Sequence, residues 1–289
     1  FLYFIDSTYA LYEYDLNNHK AYFIADMEAE ILRRGEVSSI IKQKTDYFIG
    51  FKSSGLIQLK NMPDSKVKYS LQSINVQSGI FCLMKDRFQD IIWVGADGQG
   101  LYMYFTDEFS IDNIMLDVPE YRVDNPVRAL YQDQDQTLWI GTKGGGILKM
   151  FDFHPDMETL PRAERILASN SPLMDNSVYS FAPSRRKLLW IGTESGLNYY
   201  SYSQKRIQEF PVMADGKMVK YVHSVRETND STLWVVSAGE GIVKIILDAT
   251  SLLPKVKSAR RFTLDGGKRN SNYFFVSFQE NDSVIWFGN

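Results

Sequence analysis

The sequence predicts an all-β fold, a β-propeller of about seven four-stranded antiparallel blades with incomplete ends. Three observations predict it: a strand pattern recurs along the whole chain, each recurring unit is about 47 residues long, and aromatic residues make up 14% of the sequence. A period near this length is typical of one propeller blade, and aromatic side chains favour the half-buried surfaces of sheets. The 289 residues are 44% hydrophobic, which is enough to build a sizeable core.

The recurring unit is centred on a strand that joins an aromatic residue, an aliphatic residue and a glycine. Its best copy is Leu138-Trp139-Ile140-Gly141-Thr142. The aromatic markers of the seven copies are Phe4, Phe48, Trp93, Trp139, Trp190, Trp234 and Trp286, spaced 44 to 52 residues apart. The predicted marker strands lie near residues 2–6, 46–50, 91–95, 138–142, 189–193, 233–237 and 284–288, in a single domain that spans 1–289.

Four strands are predicted in each unit. An apolar run such as residues 178–181 comes first, and a turn rich in Asp, Asn or Ser follows it. In the marker strand, the tryptophan is expected to fill the gap between neighbouring sheets and the glycine to allow close backbone approach. A glycine-rich turn leads to a third strand, as at 100–104, and weaker fourth strands are predicted at 206–210 and 259–263.

Two features interrupt this regularity. Residues 26–34 form the one stretch with helical propensity, and they fall between two copies of the repeat. No innermost strand precedes Leu2 and no outer strands follow Asn289, so closure of the propeller is expected to need further residues or strands borrowed across the ends.

Composition and motifs argue against several functions. The net charge is −3 and no basic block stands out, so the chain is not expected to bind nucleic acid. The apolar runs are far shorter than a membrane-spanning helix. No metal site or cofactor is expected, because Cys82 is the single cysteine and the histidines His19, His154 and His223 are far apart in the sequence. The glycine-rich turns lack the Lys-Ser/Thr of a phosphate-binding loop, and no Gly-x-Ser-x-Gly motif occurs.

A ligand site is predicted on the first strands of the blades. Propellers gather their loops at one end into a polar surface, and sugars bind to aromatic platforms flanked by hydrogen-bonding groups. The candidate ligand contacts are Arg128, Tyr131, Tyr179, His223 and Arg226. No catalytic residue is predicted.

The Leu-Trp-Ile-Gly-Thr pattern and the glycines that follow it resemble the two-component regulator propeller repeat. The resemblance is strongest at Trp93, Trp139 and Trp190, is fair at Trp234 and Trp286, and is weak at Phe4 and Phe48. It implies the periplasmic sensor region of a hybrid two-component histidine kinase of the Bacteroidetes type. Such an inner-membrane protein typically adds a second propeller, a β-sandwich, a transmembrane helix, a kinase core and often a DNA-binding regulator.

The resemblance also implies a function. The chain is expected to bind a glycan-derived oligosaccharide without catalysis, and to relay the signal to polysaccharide-utilisation genes. Its expected partners are the second propeller and β-sandwich of the parent chain and a second copy in a homodimer, with membrane contact only through the parent protein. Two alternatives stay open, a carbohydrate-active propeller enzyme (lyase or glycosidase) and a propeller used only for protein–protein docking.

The turn before the marker strand supports the fold rather than hydrolysis. Residues 133–139 resemble the Asp-box turn of sialidase-like propellers, which is a structural turn at the rim of a blade.

Overall fold

A computed structural model describes residues 1–65, 68–108, 110–114, 122–153, 161–251, 253–264 and 272–288. The chain divides into two compact units, Phe1–Gln132 and Asp133–Asn289. His154, one of the three histidines, lies outside the described residues.

The first unit begins with a three-stranded sheet and a short helix. These are β1 (Leu2–Ile5), β2 (Ala10–Asp15), β3 (Lys20–Asp26) and α1 (Glu28–Arg34). A four-stranded sheet follows, made of β4 (Val37–Gln43), β5 (Asp46–Phe51), β6 (Leu56–Asn61) and β7 (Tyr69–Ile74). The next is made of β8 (Ile80–Lys85), β9 (Ile91–Ala96), β10 (Leu101–Phe105) and β11 (Ser110–Asn113). The last strand of this unit is β12 (Val127–Gln132).

The second unit continues in the same way. Its first antiparallel ladder joins β13 (Leu138–Thr142), β14 (Ile147–Met150) and β15 (Ala163–Ile166). One four-stranded sheet holds β16 (Val178–Pro183), β17 (Leu188–Thr193), β18 (Leu197–Ser201) and β19 (Arg206–Phe210). After the small hairpin of β20 (Met213–Ala214) and β21 (Lys217–Met218), another holds β22 (Val222–Asn229), β23 (Thr232–Ser237), β24 (Gly241–Leu247) and β25 (Val256–Phe262). A two-stranded sheet ends the unit, with β26 (Val276–Gln279) and β27 (Ile285–Gly288).

The sheets confirm the predicted class of four-stranded antiparallel blades. Four of them lie wholly within one unit, and in each the strands are hydrogen-bonded in chain order. The strand with the aromatic marker is the second of its sheet, as β5, β9, β17 and β23 show. The predicted helix is α1, which is seven residues long.

The marker glycines are needed because the first strand of the next blade lies against them. A Cβ added at Gly192 would lie 2.4 Å from the carbonyl oxygen of Val222 and 2.3 Å from the Oγ of Ser180. At Gly50 it would lie 2.7 Å from Cγ2 of Ile80. Any side chain at these positions would therefore push two neighbouring sheets apart.

The marker tryptophans differ in burial. Trp93, Trp139 and Trp190 are completely buried, as expected for rings that fill the space between sheets. Trp234 is half-buried, and Trp286 on the final two-stranded sheet is 43% exposed. The expected complete burial therefore holds for three of the five marker tryptophans.

The turn before the marker strand is built around a carboxylate. Oδ1 of Asp133 accepts hydrogen bonds from the backbone N–H groups of Asp135 (3.0 Å) and Thr137 (2.9 Å). Its Oδ2 accepts one from Nε1 of Trp139 at 3.1 Å. One buried side chain thus fixes both the turn and the marker ring.

Candidate functional site

A β-bulge near the start of the first strand recurs in four blades. The strand pairing shifts between Val37 and Ser39, Ile80 and Cys82, Val178 and Ser180, and Val222 and Ser224. The residues inserted by these bulges are Ser38, Phe81, Tyr179 and His223. A bulge leaves its extra residue out of the ladder and turns its side chain in a new direction. The bulges therefore give equivalent positions in different blades, and two candidate residues of the sequence occupy them.

The second unit brings Tyr179 and His223 together. Their rings are stacked with centroids 4.3 Å apart and planes 10° apart. Phe275 lies just before β26 and meets the His223 ring edge-on, at 5.2 Å between centroids. We call Tyr179, His223 and Phe275 the aromatic cluster. Each of the three comes from a different blade, so the packing of blades, not local sequence, creates it.

The cluster reaches the surface at Phe275 and continues to a fourth ring, that of Tyr273. Phe275 and Tyr273 are 40% and 56% exposed, and their centroids lie 6.5 Å apart with planes 29° apart. The ring of Tyr273 lies on the tight turn at Gly239, where an added Cβ would be 3.1 Å from Cε1 of that ring. Both aromatic faces are therefore held in place while part of each is open to solvent.

A carboxylate borders the aromatic cluster. The hydroxyl of Tyr179 donates a hydrogen bond of 2.8 Å to Oε2 of Glu194, in the turn between β17 and β18. The backbone of that turn is itself fixed, because Glu194 accepts from the N–H of Tyr221 (2.8 Å) and donates to the carbonyl of Ser177 (3.0 Å). Carboxylate oxygens accept hydrogen bonds from hydroxyl groups, which sugars supply.

In the first unit the equivalent contact is between a cation and a ring. The guanidinium carbon of Arg128 lies 3.4 Å from the centroid of the Phe81 ring. Both side chains are half-buried. A guanidinium stacked on an aromatic face is a stable arrangement.

The remaining two candidates do not join these contacts. Arg226 donates from Nη2 to the carbonyl of Ser277 at 3.1 Å, and burial lowers the pKa of its guanidinium. Its Nε is buried and has no hydrogen-bond partner among the described residues. Tyr131 is half-buried on β12, three positions after Arg128.

Sequence reasoning missed Phe81, Phe275, Tyr273 and Glu194. Phe81 and Phe275 lie in continuous apolar runs, where nothing separates a bulged residue from its buried neighbours. The available signal is position: Phe81 follows Ile80 just as Tyr179 follows Val178 in the equivalent strand. Tyr273 and Glu194 lie beside the aromatic cluster only because the fold brings distant turns close to it.

The described residues contain neither a metal-binding cluster nor a membrane-spanning helix. Across those ranges, no three His, Cys, Asp or Glu side chains gather closely enough to hold a metal ion. No helix in the same ranges has the length and hydrophobicity to cross a membrane.

Comparison with known proteins identifies the repeat. A family model described as "Two component regulator propeller" matches residues 122–144, around the best copy of the marker strand. Over residues 122–144 the chain therefore matches the two-component regulator propeller repeat. It is also 27% identical over 200 residues to "Histidine kinase P4" of Formosa agariphila, in a match that covers 68% of this chain. That match spans only 14% of the kinase.

Solved structures with low sequence identity share the fold. The extracellular domain of a hybrid two-component system from B. thetaiotaomicron is 20% identical, with a TM-score of 0.66 over 99% of this chain and 37% of that structure. PorZ, a surface component of the type-IX secretion system of Porphyromonas gingivalis, is 12% identical with a TM-score of 0.67 over 97% of the chain and 41% of its own. At these identities the likeness establishes the propeller fold alone.

Proposed function

We propose that this chain is a non-catalytic sensor module of a hybrid two-component histidine kinase, and that it binds a glycan-derived oligosaccharide. The sensor role is supported by the propeller repeat and by the similarity to a histidine kinase. The observation that carries the ligand role is the aromatic cluster, where rings from three blades meet beside Glu194.

The cluster suits a carbohydrate for a physical reason. The C–H faces of a sugar ring are apolar and pack on aromatic rings, whereas its hydroxyls need hydrogen-bond partners. Phe275 and Tyr273 present partly open faces, and Glu194 presents an acceptor. Tyr179 and His223 stack on each other, so in our proposal they support the platform and contact the sugar through their edges.

The proposal places the chain in the periplasmic region of an inner-membrane protein. A second propeller and a β-sandwich of the parent chain would adjoin it, and two copies would form a homodimer. Ligand binding would favour one arrangement of this assembly over another, and the kinase would read that shift to control polysaccharide-utilisation genes.

The test is binding of the full chain to a panel of glycan oligosaccharides, by thermal shift and calorimetry. A ligand that binds only the folded state raises the melting temperature. We expect a specific hit without product formation, and Phe275→Ala should weaken it about tenfold, or about 1.4 kcal/mol. Phe88→Ala truncates a similarly exposed ring in the other unit and should leave binding unchanged.

Two results would overturn the proposal. Turnover of an oligosaccharide would favour a carbohydrate-active enzyme. If circular dichroism confirms that the protein is folded and no oligosaccharide of the panel binds, a docking propeller would be favoured. The search would then turn to protein partners.

A further inference from the structure

The outer edge of the sheet that β4 begins is open to pairing with a further strand. The sheet is ordered β4-β5-β6-β7, so one side of β7 (Tyr69–Ile74) has no neighbouring strand among the described residues. An edge strand presents unpaired backbone N–H and C=O groups, and natural proteins normally block pairing there. Ser70, Leu71, Gln72 and Ser73 on this edge are all exposed.

The other outer strands of the described blades carry features that block such pairing. The ladders of β3 with β2 and of β25 with β24 are interrupted by a β-bulge. The strands β11 and β15 are only four residues long, and β19 carries the charges of Arg206 and Glu209. Bulges, short length and charges all discourage a further strand. In contrast, β7 has six residues in unshifted register with β6 and contains neither a charged residue nor a proline.

A second copy of the chain fits this edge because β7 is complementary to itself. Two strands related by a two-fold axis normal to the sheet pair antiparallel, and a residue on the axis lies opposite its own copy. With Leu71 on the axis, the two leucines meet on one face of the joined sheet. Ser70 then lies opposite Gln72 of the second copy on the other face. An axis at Gln72 would instead set Leu71 opposite Ser73 and Ser70 opposite Ile74.

The axis at Leu71 also extends an apolar row that already crosses the sheet. Leu71 is paired with Leu59 on β6, which is paired with Tyr47 on β5. Residues directly opposite each other in an antiparallel pair share a face and contact each other. Tyr47 and Leu59 are buried, whereas Leu71 at the end of the row is 44% exposed. A second leucine beside Leu71 would continue the row and cover its exposed side chain.

We propose that two copies of the chain join through β7, in an antiparallel pair centred on Leu71. One continuous sheet would then run through both copies, with four strands from each. This inference rests on the homodimer of the proposed function and gives it a surface. It does not depend on the aromatic cluster or on a ligand, because all its residues belong to the first unit.

Cysteine cross-linking of the full chain tests the register. Opposite residues of an antiparallel pair have Cα atoms about 4.5–5.5 Å apart, which a disulfide spans, whereas diagonal positions about 7–8 Å apart are too distant. Leu71→Cys should therefore form a covalent dimer under mild oxidation, and Ser70→Cys or Gln72→Cys alone should not. A mixture of Ser70→Cys and Gln72→Cys should form the dimer that neither forms by itself. Wild type, with Cys82 as its single cysteine, is the control.

Sedimentation velocity over a range of concentrations measures the dimer without a cross-link. We expect wild type to dimerise and Leu71→Lys to weaken the dimer at least tenfold, because two like charges would oppose each other on the axis. Leu32→Lys is the matched control, since it replaces a leucine that is 74% exposed on α1 of the same unit. Circular dichroism confirms that both variants are folded.

The outcomes separate this inference from the proposed function. A dimer that Leu71→Lys leaves intact, or a disulfide in Ser70→Cys or Gln72→Cys alone but not in Leu71→Cys, would overturn the pairing through β7 and keep the homodimer. Wild type that stays monomeric at every concentration would overturn both the pairing and the homodimer. The ligand role would still be decided by the oligosaccharide panel.

Discussion

At the scale of single residues, a buried tryptophan indole donates a hydrogen bond to a carboxylate in two pairs of blades, but the carboxylate comes from a different position in each pair. In the first unit Nε1 of Trp93 donates to Oδ2 of Asp86 at 2.8 Å, and Gln132 on the next blade donates to the same oxygen at 2.9 Å. Oε1 of Gln132 also accepts from the N–H of Arg87 at 2.8 Å. The acid is in the turn and the amide is on the neighbouring strand.

In the second unit the two roles are exchanged. Ser184 stands where Asp86 stands in the first unit, and Glu227 stands where Gln132 does. Oε2 of Glu227 accepts from Nε1 of Trp190 at 2.8 Å, and its Oε1 accepts from the N–H of Arg185 at 3.2 Å. The two sequence changes therefore compensate each other, since each buried indole keeps one carboxylate acceptor.

This exchange predicts the effect of Glu227→Gln. The amide can accept only through its oxygen, so either the Trp190 indole or the Arg185 backbone N–H loses its acceptor inside the protein. An unsatisfied buried donor costs about 1–3 kcal/mol of the free energy of unfolding. Urea denaturation measures this loss, and Glu209→Gln, on an exposed side chain of the same unit, should change nothing.

The double variant Ser184→Asp with Glu227→Gln provides the decisive comparison. It recreates the arrangement of Asp86 and Gln132, so we expect it to regain most of the lost stability. A double variant no more stable than Glu227→Gln alone would show that the two positions are not coupled.

The sequence alone predicts the structural roles of some residues and not of others. The apolar pattern and the turn chemistry locate Asp133 and Trp139, because their interactions are local and recur. The pattern does not distinguish Trp139, which is completely buried, from Trp286, which is 43% exposed. Phe275 belongs to the aromatic cluster through a contact with His223, 52 positions earlier in the chain, and no local rule reports such a contact.

At the scale of elements, contact between blades depends on the marker glycine. Gly192→Ala would set a methyl group against the backbone of the next blade, at the carbonyl of Val222. We expect a loss of about 3 kcal/mol in the free energy of unfolding, because the backbone carbonyl of Val222 can move little to make room for the methyl group. Gly216→Ala gives the contrast: it has a φ of +78° and nothing within 4 Å, so only the strain of about 1 kcal/mol from the left-handed conformation applies. Equal losses for the two variants would contradict the packing argument.

A lysine enclosed by aromatic rings joins two elements of the second unit. Nζ of Lys149 on β14 lies 4.8 Å from the Trp139 ring centroid and 4.7 Å from that of Tyr200 on β18. It also lies 4.6 Å from the ring centroid of Phe151 and donates to the hydroxyl of Tyr200 at 3.2 Å. Burial lowers the pKa of Lys149 below its usual 10.5, although the carboxylates of Glu164 and Asp133 act in the opposite direction.

This shift predicts a pH dependence of stability. The folded chain holds the Lys149 proton less tightly than the unfolded chain, so stability rises with pH above the lowered pKa and levels off above 10.5. Lys149→Met lacks this titration. The free energy of unfolding of the wild type should therefore increase relative to Lys149→Met between pH 7 and pH 10 in urea denaturation. Lys143→Met, at an exposed lysine, is the control, and a difference from Lys149→Met that stays constant with pH would contradict the argument.

At the scale of the whole molecule, the repeat accounts for the fold but not for the sites. Seven copies of one strand pattern predict the blades, because each blade repeats the same local packing. The bulge at His223 recurs in other blades, but the residue that it carries differs from blade to blade. Averaging over the copies therefore loses the residues at which ligand contacts are proposed.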